Sequence, residues 1–592
     1  MLYSRDSHTR RGDYMNGGEL IGQILKKKRV DFIFTLCGGH IAPILVGAKK
    51  QGLRVIDVRH EPTAVFAADA VSRLTGIPGV AVVTAGPGVT NSVTAVKNAQ
   101  MAQSPLILLG GAAATVLQGR GALQDIEQLD LYKSIVKWET SIEQNCDIEP
   151  ILNEAFEVSM SGIPGPVFIE CPIDVLYEEE LVREWYGKRS KSQINSLKQK
   201  VVNWYLQRHV DKLFACSIDD VKNKENEDIV PFSVDQEQLQ KVASQINNSK
   251  KPVLILGSQA TKRVELVYEL AEGLKNFGVP VFLASMSRGL LGRDHPSYFR
   301  HGRSKALKEA DLIIICGMPC DFRLNYGRAL NKGAFHIAIN RSKDDLTNNK
   351  KPDMAIQADP ATFLVELSKS FSFEREKWFQ WYETLKEWEM GGKAKIERFA
   401  HVDTDFLNPL AFLKEIYNYI EDNVIIIGDG GDFIATTSYI IKPPKPLSWL
   451  DPGPYGTLGV GAGFALAAKL VHPESEVWLF WGDGAAGYSI AEIDTFVRHS
   501  LPIISVIGND AGWTQIERDQ VEYLDDSVGT NLKFTDYHIV AEGYGGEGLL
   551  LKNKANISRV VNQAKLLAKN GSPVLINALM GKTDFRKGSI SM

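Results

Sequence analysis

The sequence predicts an α/β protein made of three doubly wound parallel-sheet domains. Three observations carry that reading. Short apolar, β-branched runs alternate with helical stretches of about 10–15 residues in three separate blocks, the pattern of parallel sheets covered on both faces. The length of 592 residues suits three or four domains at roughly 150 residues each. Hydrophobic residues make up 44% and charged residues 23%, the balance of a folded globular chain and not of a disordered or collagen-like one.

The first block covers residues 15–177. Its strand-like runs are 32–36, 54–58, 80–84, 106–109 and 166–170, with an alanine-rich helix over 61–74. The second covers 236–370, with strands at 253–256, 281–283, 312–316 and 336–339. The third covers 407–579, with strands at 424–427, 477–480, 503–507 and 574–578. Domain boundaries follow at 15–180, 236–370 and 406–592. A long charged linker, 181–235, contains a helical pattern over 201–214, with Val202, Leu206, Val210 and Leu213 on one face and Trp204 and Tyr205 beside them. It reads either as a helix lying on a membrane surface or as one packing on its own protein. A second linker, 371–405, reads as a surface helix.

Charge and composition exclude several classes. Lys plus Arg is 67 against 71 for Asp plus Glu, a net charge of −4. There is no broad basic field to hold nucleic acid by counterion release. The six cysteines, 37, 146, 171, 216, 316 and 320, lack the paired spacing of a zinc site and read as structural thiols. No run of 18 apolar residues predicts a transmembrane helix, and the polar first 14 residues lack the apolar core of a secretory signal. The reading is a cytoplasmic chain, or one associated with a membrane only at its surface.

Chemistry concentrates in the third block. The run Val477–Trp481 ends in Gly482-Asp483-Gly484-Ala485; a helix follows, then a second strand leading to Asn509-Asp510-Ala511-Gly512. Two parallel strands joined by one helix place their C-terminal ends side by side, where ligands bind in such sheets. Oxygen side chains there suit Mg²⁺ when a diphosphate completes the coordination shell, and the glycines let backbone approach the phosphates. Gly428-Asp429-Gly430 also follows a strand but has no Asn-Asp partner; an ordinary turn and a ligand loop remain equal readings. In the first block Glu61 opens a helix. Alone, it reads as an acid stabilised at a helix N-terminus. His40, after the first strand, is either a structural hydrogen-bonder or an acid–base group.

Gly482-Asp483-Gly484 with Asn509-Asp510, together with Glu61, resembles the thiamine diphosphate motif of the acetolactate synthase, pyruvate decarboxylase and oxalyl-CoA decarboxylase superfamily. The resemblance spans residues 15–592 and implies pyrimidine-binding, central Rossmann-like and diphosphate-binding domains in that order. It implies metal ligation by Asp483, Asp510 and the Gly512 carbonyl, with Asn509 as ligand if the register slips by one. Asp510 stands where the family usually has Asn. Glu61 is the residue that bonds the cofactor's aminopyrimidine ring. Thr84–Asn91, with Pro87 and Asn91, is similar to the turn beside that ring. Gln124 stands near the substrate, and Leu458, after Gly456, is similar to the apolar wedge under the cofactor. Gly482, Gly484 and Ala485 line the diphosphate. Finer details, including Thr583-Asp584-Phe585-Arg586, look like the acetolactate synthase-like, 2-hydroxyacyl-CoA lyase branch, whose members associate with the endoplasmic reticulum. That branch implies cleavage of a 2-hydroxyacyl-CoA, with Glu61, Gln124 and His40 as catalytic residues. The alternatives are acetolactate synthesis or a non-catalytic homologue. The resemblance also implies that Glu61 faces the diphosphate half of a neighbouring subunit, and hence a homodimer or homotetramer. Ser287-Arg288, Arg293 and Asp321-Phe322-Arg323 are weak candidates for holding FAD, ADP or CoA on the central domain.

Overall fold

The computed structural model describes residues 15–188, 197–215 and 234–588. Cys216 and the polar first 14 residues lie outside that range. The first sheet contains β1 (Phe32–Thr35), β2 (Arg54–Asp57), β3 (Gly79–Val83), β4 (Leu106–Ala112), β5 (Glu139–Ser141) and β6 (Pro166–Pro172). The second contains β7 (Pro252–Leu256), β8 (Val281–Leu283), β9 (Leu312–Cys316), β10 (Phe335–Asn340) and β11 (Met354–Gln357). The third contains β12 (Val424–Asp429), β13 (Trp449–Leu450), β14 (Glu476–Gly482), β15 (Ile503–Asn509), β16 (Glu547–Leu551) and β17 (Val574–Leu579).

All three sheets are parallel, so the predicted fold class holds. The first is ordered β2-β1-β3-β4-β6-β5 and the third β13-β12-β14-β15-β17-β16. The third repeats the first with every strand number raised by eleven. Interior strands such as β4 and β15 are buried along their whole length, because helices cover both faces. Hence their sequences are unbroken apolar runs.

Four strands escaped the sequence pattern: β5, β11, β13 and β16. Each is the edge of its sheet. An edge strand is less completely covered, so its apolar signal weakens. β5 is only half-buried, β11 and β16 expose residues, and β13 is two residues long.

The first linker holds helices Glu179–Lys188 and Leu197–Leu213. Val210 and Leu213 are buried, Val210 in a small cluster with Val182 and Tyr186. Val202 departs from the predicted packed face: it is 53% exposed, like Val201, Trp204 and Tyr205 around it. A row of i, i+4 steps winds about 40° per step around a helix, which carries Val202 off the stripe that Val210 occupies. The second linker helix, Phe379–Ala400, is more than a surface helix. Trp381 and Leu385 enter the central core, while Ile396 and Ala400 enter the C-terminal core. The indole N–H groups of Trp378 and Trp381 donate to Ser249 O and Pro252 O, both at 3.0 Å. The helix is therefore a strut between two domains. Cys37, Cys171, Cys316 and Cys320 are free thiols as expected, but Cys146 is disulfide-bonded. No helix among the described residues is long and apolar enough to cross a membrane.

The first and third domains meet at a close helix contact. Helix Glu61–Thr75 crosses helix Val460–Val471. A Cβ on Gly463 would lie 2.7 Å from Phe66 Cβ and 2.8 Å from Thr63 O, so only glycine permits this approach. Arg73, paired with buried Asp69 at 2.6 Å, donates to Asp451 O at 2.9 Å and lies over the Phe464 ring. Gly463→Val should overpack this crossing. The expected cost is about 2 kcal/mol, read as a lower melting temperature in the full chain.

Candidate active site

The third sheet aligns its strand ends in register, with Gly482 of β14 paired to Gly508 of β15. Asp483 begins helix Asp483–Ser489, in which Ala485 is buried. Asp483 Oδ1 accepts from Gly484 N at 2.8 Å and Oδ2 from Gly512 N at 3.1 Å. The bend that brings Gly512 back places Ala511 at φ +56°, a left-handed conformation costing roughly 1–2 kcal/mol for a non-glycine residue. Asp510 lies close enough to Asp483 for their charges to interact, and Thr514 Oγ1 donates to Asp510 Oδ2 at 2.6 Å. A Cβ on Gly484 would meet the Trp513 ring at 2.4 Å, whereas at Gly482 nothing lies closer than 3.9 Å.

Burial, and then the charge of Asp510, push Asp483 up to about 7. Burial pushes Asp510 up to about 6, against the Thr514 hydroxyl and Lys582. Two carboxyls that resist ionising together are what a divalent cation would stabilise. Asn509 is not brought into this pair. Its amide donates to Thr535 O at 3.2 Å and to Asn577 Oδ1 at 3.1 Å.

Asp429 resolves the ambiguous Gly428-Asp429-Gly430 turn. The fully buried carboxyl accepts from Gly459 N at 3.1 Å and Gly461 N at 2.8 Å, capping helix Val460–Val471. Burial pushes it up to about 7. It thereby fixes the segment carrying Gly456, at φ +66°, and half-buried Leu458.

The first sheet assembles the other half. Glu61 is the first residue of its helix and is buried. Its Oε2 accepts from Asn91 Nδ2 at 3.1 Å. Gly86, at φ +60°, turns the chain into the short helix Pro87–Asn91. Gln124 lies over that turn, since a Cβ on Gly86 would sit 2.8 Å from Gln124 O. His40 Nδ1 is 3.4 Å from Thr84 Oγ1, and burial lowers its pKa. Glu61, Asn91, Pro87, Gln124 and His40 thus come from the ends of β1, β2 and β3 and the loop after β4. Gln128 went unnoticed in the sequence. Its Oε1 accepts from Gly86 N at 3.0 Å, while its amide donates to Glu170 Oε1 at 2.8 Å and Gly111 O at 3.1 Å. A buried lone glutamine has no motif by which to find it.

Residues 15–131 match the thiamine pyrophosphate enzyme N-terminal TPP binding domain, 239–367 its central domain and 426–578 its C-terminal TPP binding domain. The chain belongs to the thiamine pyrophosphate enzyme family. Among its relatives is a zebrafish (Danio rerio) 2-hydroxyacyl-CoA lyase 2, 47% identical over 100% of this chain and 96% of the relative. A human 2-hydroxyacyl-CoA lyase 2 is 45% identical over 98% of this chain and 92% of the relative. An acetolactate synthase large subunit of Mycobacterium tuberculosis is 30% identical over 95% and 96%.

For a thiamine pyrophosphate enzyme the donor set fits. No group of three or more His, Cys, Asp or Glu able to hold a metal occurs among the described residues. The protein offers two carboxyls and backbone oxygen, so a metal held here would take its further oxygens from a ligand, as a diphosphate would provide. The arginines singled out for a nucleotide are occupied. Arg288 donates to Ser438 O, Arg293 to Ile420 O and Glu421 O, and Arg323 to Asp321 and Ser285. Arg288 and Arg293 are clamps between the central and C-terminal domains.

Asp429 makes a pH prediction. An acid whose folded pKa is raised binds more protons folded than unfolded, so its contribution falls as pH rises from about 4 to about 7. Asp429→Asn removes this ionisation. Its melting temperature should depend less steeply on pH across that window than that of the native chain. An unchanged slope would show that Asp429 ionises at its ordinary value.

Proposed function

We propose that this chain is a Mg²⁺- and thiamine diphosphate-dependent lyase that cleaves a 2-hydroxyacyl-CoA to formyl-CoA and an aldehyde one carbon shorter. One observation carries the reading. The Glu61–Asn91 contact and the Asp483–Asp510 pair occur together on a chain that aligns along its length with 2-hydroxyacyl-CoA lyases. The 30% identity to an acetolactate synthase supports that activity less.

Bound thiamine diphosphate would supply the electron sink for carbon–carbon cleavage. Asp483, Asp510 and the Gly512 carbonyl would hold the metal. Gly482, Gly484 and Ala485 would bring backbone to the diphosphate, and Leu458, just before helix Val460–Val471, would support the cofactor. Glu61 would face the aminopyrimidine ring as the proton-exchanging group, with Asn91 fixing the orientation of Oε2. Burial keeps His40 neutral near pH 7, so its imidazole can accept the proton of the substrate's 2-hydroxyl. Gln124 orients the substrate. The central domain takes the CoA moiety, ADP or FAD at its switch point between β7 and β9, where Gly257 packs on Gly317 O.

A homodimer or homotetramer is part of this reading. Leu123 is 82% exposed, and Tyr488, Ile516, Leu524 and Val528 are also exposed; a second copy would cover such apolar side chains. We place the chain in the cytoplasm or on the endoplasmic reticulum surface.

Product analysis with a 2-hydroxyacyl-CoA series should show formyl-CoA and the shortened aldehyde in equal amounts. Acetolactate from pyruvate, without any aldehyde from the CoA substrates, would sink the lyase assignment. Glu61→Gln should lower turnover by about 100-fold or more. Asp483→Asn should abolish Mg²⁺-dependent binding of thiamine diphosphate, followed by tryptophan fluorescence. Light scattering of the active protein should give a mass at least twice that of one chain.

A further inference from the structure

The first N–H groups of a helix have no partner within it and need acceptors from elsewhere. Helix Glu61–Thr75 lacks a local one, for His60 at the cap position makes no side-chain cap bond. The acceptor comes from another domain. Glu492 Oε1 and Oε2 accept from Arg59 N at 3.0 and 3.1 Å. The His60 amide and Thr63 hydroxyl also bond this carboxyl, and Thr495 Oγ1 donates to Oε2 at 2.6 Å.

Glu492 is 1% exposed and forms no ion pair among the described residues. Its neighbours differ. The Arg498–Asp57 and Arg59–Asp494 pairs are partly solvated surface contacts, of a kind that contributes little. Burial raises the Glu492 pKa, opposed by the hydroxyl and amide donors. A buried carboxyl retained without a cation, and surrounded by donors from one helix start, is placed to fix that start. Glu492 closes the turn Ile490–Glu492, which continues directly from helix Asp483–Ser489. One short stretch therefore begins at Asp483 and ends against Arg59 and His60, with Glu61 next in the chain.

We propose that Glu492 is a positioning residue that clamps the Arg59 and His60 amides and so fixes the helix start that presents Glu61 to the diphosphate half of a neighbouring subunit. This rests on the reading of Glu61 as the group facing the cofactor ring.

The test uses the full chain carrying Glu492→Gln, with Thr495→Val as a milder second variant should the first fail to fold. Amide hydrogen exchange without cofactor should quicken about tenfold at Arg59 and His60, while β6 is unchanged. Unchanged protection at those two amides in a folded variant overturns the clamp. With saturating thiamine diphosphate, kcat should fall while cofactor affinity by fluorescence titration holds, because Asp483, Asp510 and Gly512 are untouched. Lost affinity with preserved kcat would assign Glu492 to the diphosphate half and overturn the proposal. Glu492→Asp, charged but shorter, should recover part of the loss. If the native chain binds no thiamine diphosphate, the proposed function fails, and the exchange measurement still decides the clamp.

Discussion

Two helices in backbone contact set the geometry on which the rest depends. Helix Glu61–Thr75 starts at the acid of the first sheet, and helix Val460–Val471 starts just after Leu458 in the third. Their crossing at Gly463 leaves no room for a side chain. Packing this close does not deform gradually, so the two starting points are fixed against each other. The Asp69–Arg73 pair reinforces the contact, being buried and donating on to Asp451 O. Such a buried pair is weak evidence for net stability; its role here is to align the two domains.

Buried carboxyls recur around this contact in two different settings. Asp429 and Glu492 each meet the start of one of the crossing helices, and each is held by backbone and side-chain donors without a cation. Asp483 and Asp510 instead lie side by side, and each raises the need for a positive partner. The first pair defines positions, while the second asks for a ligand. Charge is thus handled locally. A chain of net charge −4 has no general field for phosphate, and Arg288 and Arg293 hold domains together.

What the sequence made legible follows from how strongly burial shapes each segment. Interior strands and the Glu61 helix were readable, because their apolar patterns are continuous. The edge strands β5, β11, β13 and β16 were not, because half-covered or very short strands carry weak patterns. Asp483 and Asp510 stood out through their spacing, and Glu61 through its place opening a helix. Gln128 and Glu492 did not, since each acts on a loop or helix start distant in sequence. Asp429 was visible as a turn, but its role depends on Gly459 and Gly461, thirty residues on. Val202 was misassigned to a packed face because the linker helix uses only a narrow stripe.

The matching topology of the first and third sheets explains why the site divides as it does. β2 and β13 hold corresponding places, and so do β3 and β14. After β2 comes the Glu61 helix; after β13 comes the Leu458 segment. After β3 comes the Gly86-Pro87-Gly88 turn; after β14 comes Gly482-Asp483-Gly484. One arrangement of strand ends is therefore used twice, with an acid and a glycine turn in one copy and an apolar side chain and a carboxyl in the other. A ligand with an organic ring at one end and phosphates at the other suits such a pair. Neither sheet carries both chemistries, so the two kinds of strand end must be brought together by assembly. The crossing at Gly463 and the contact at Glu492 bear no reactive group, yet they hold the helix that starts at Glu61 and the helix that starts just after Leu458.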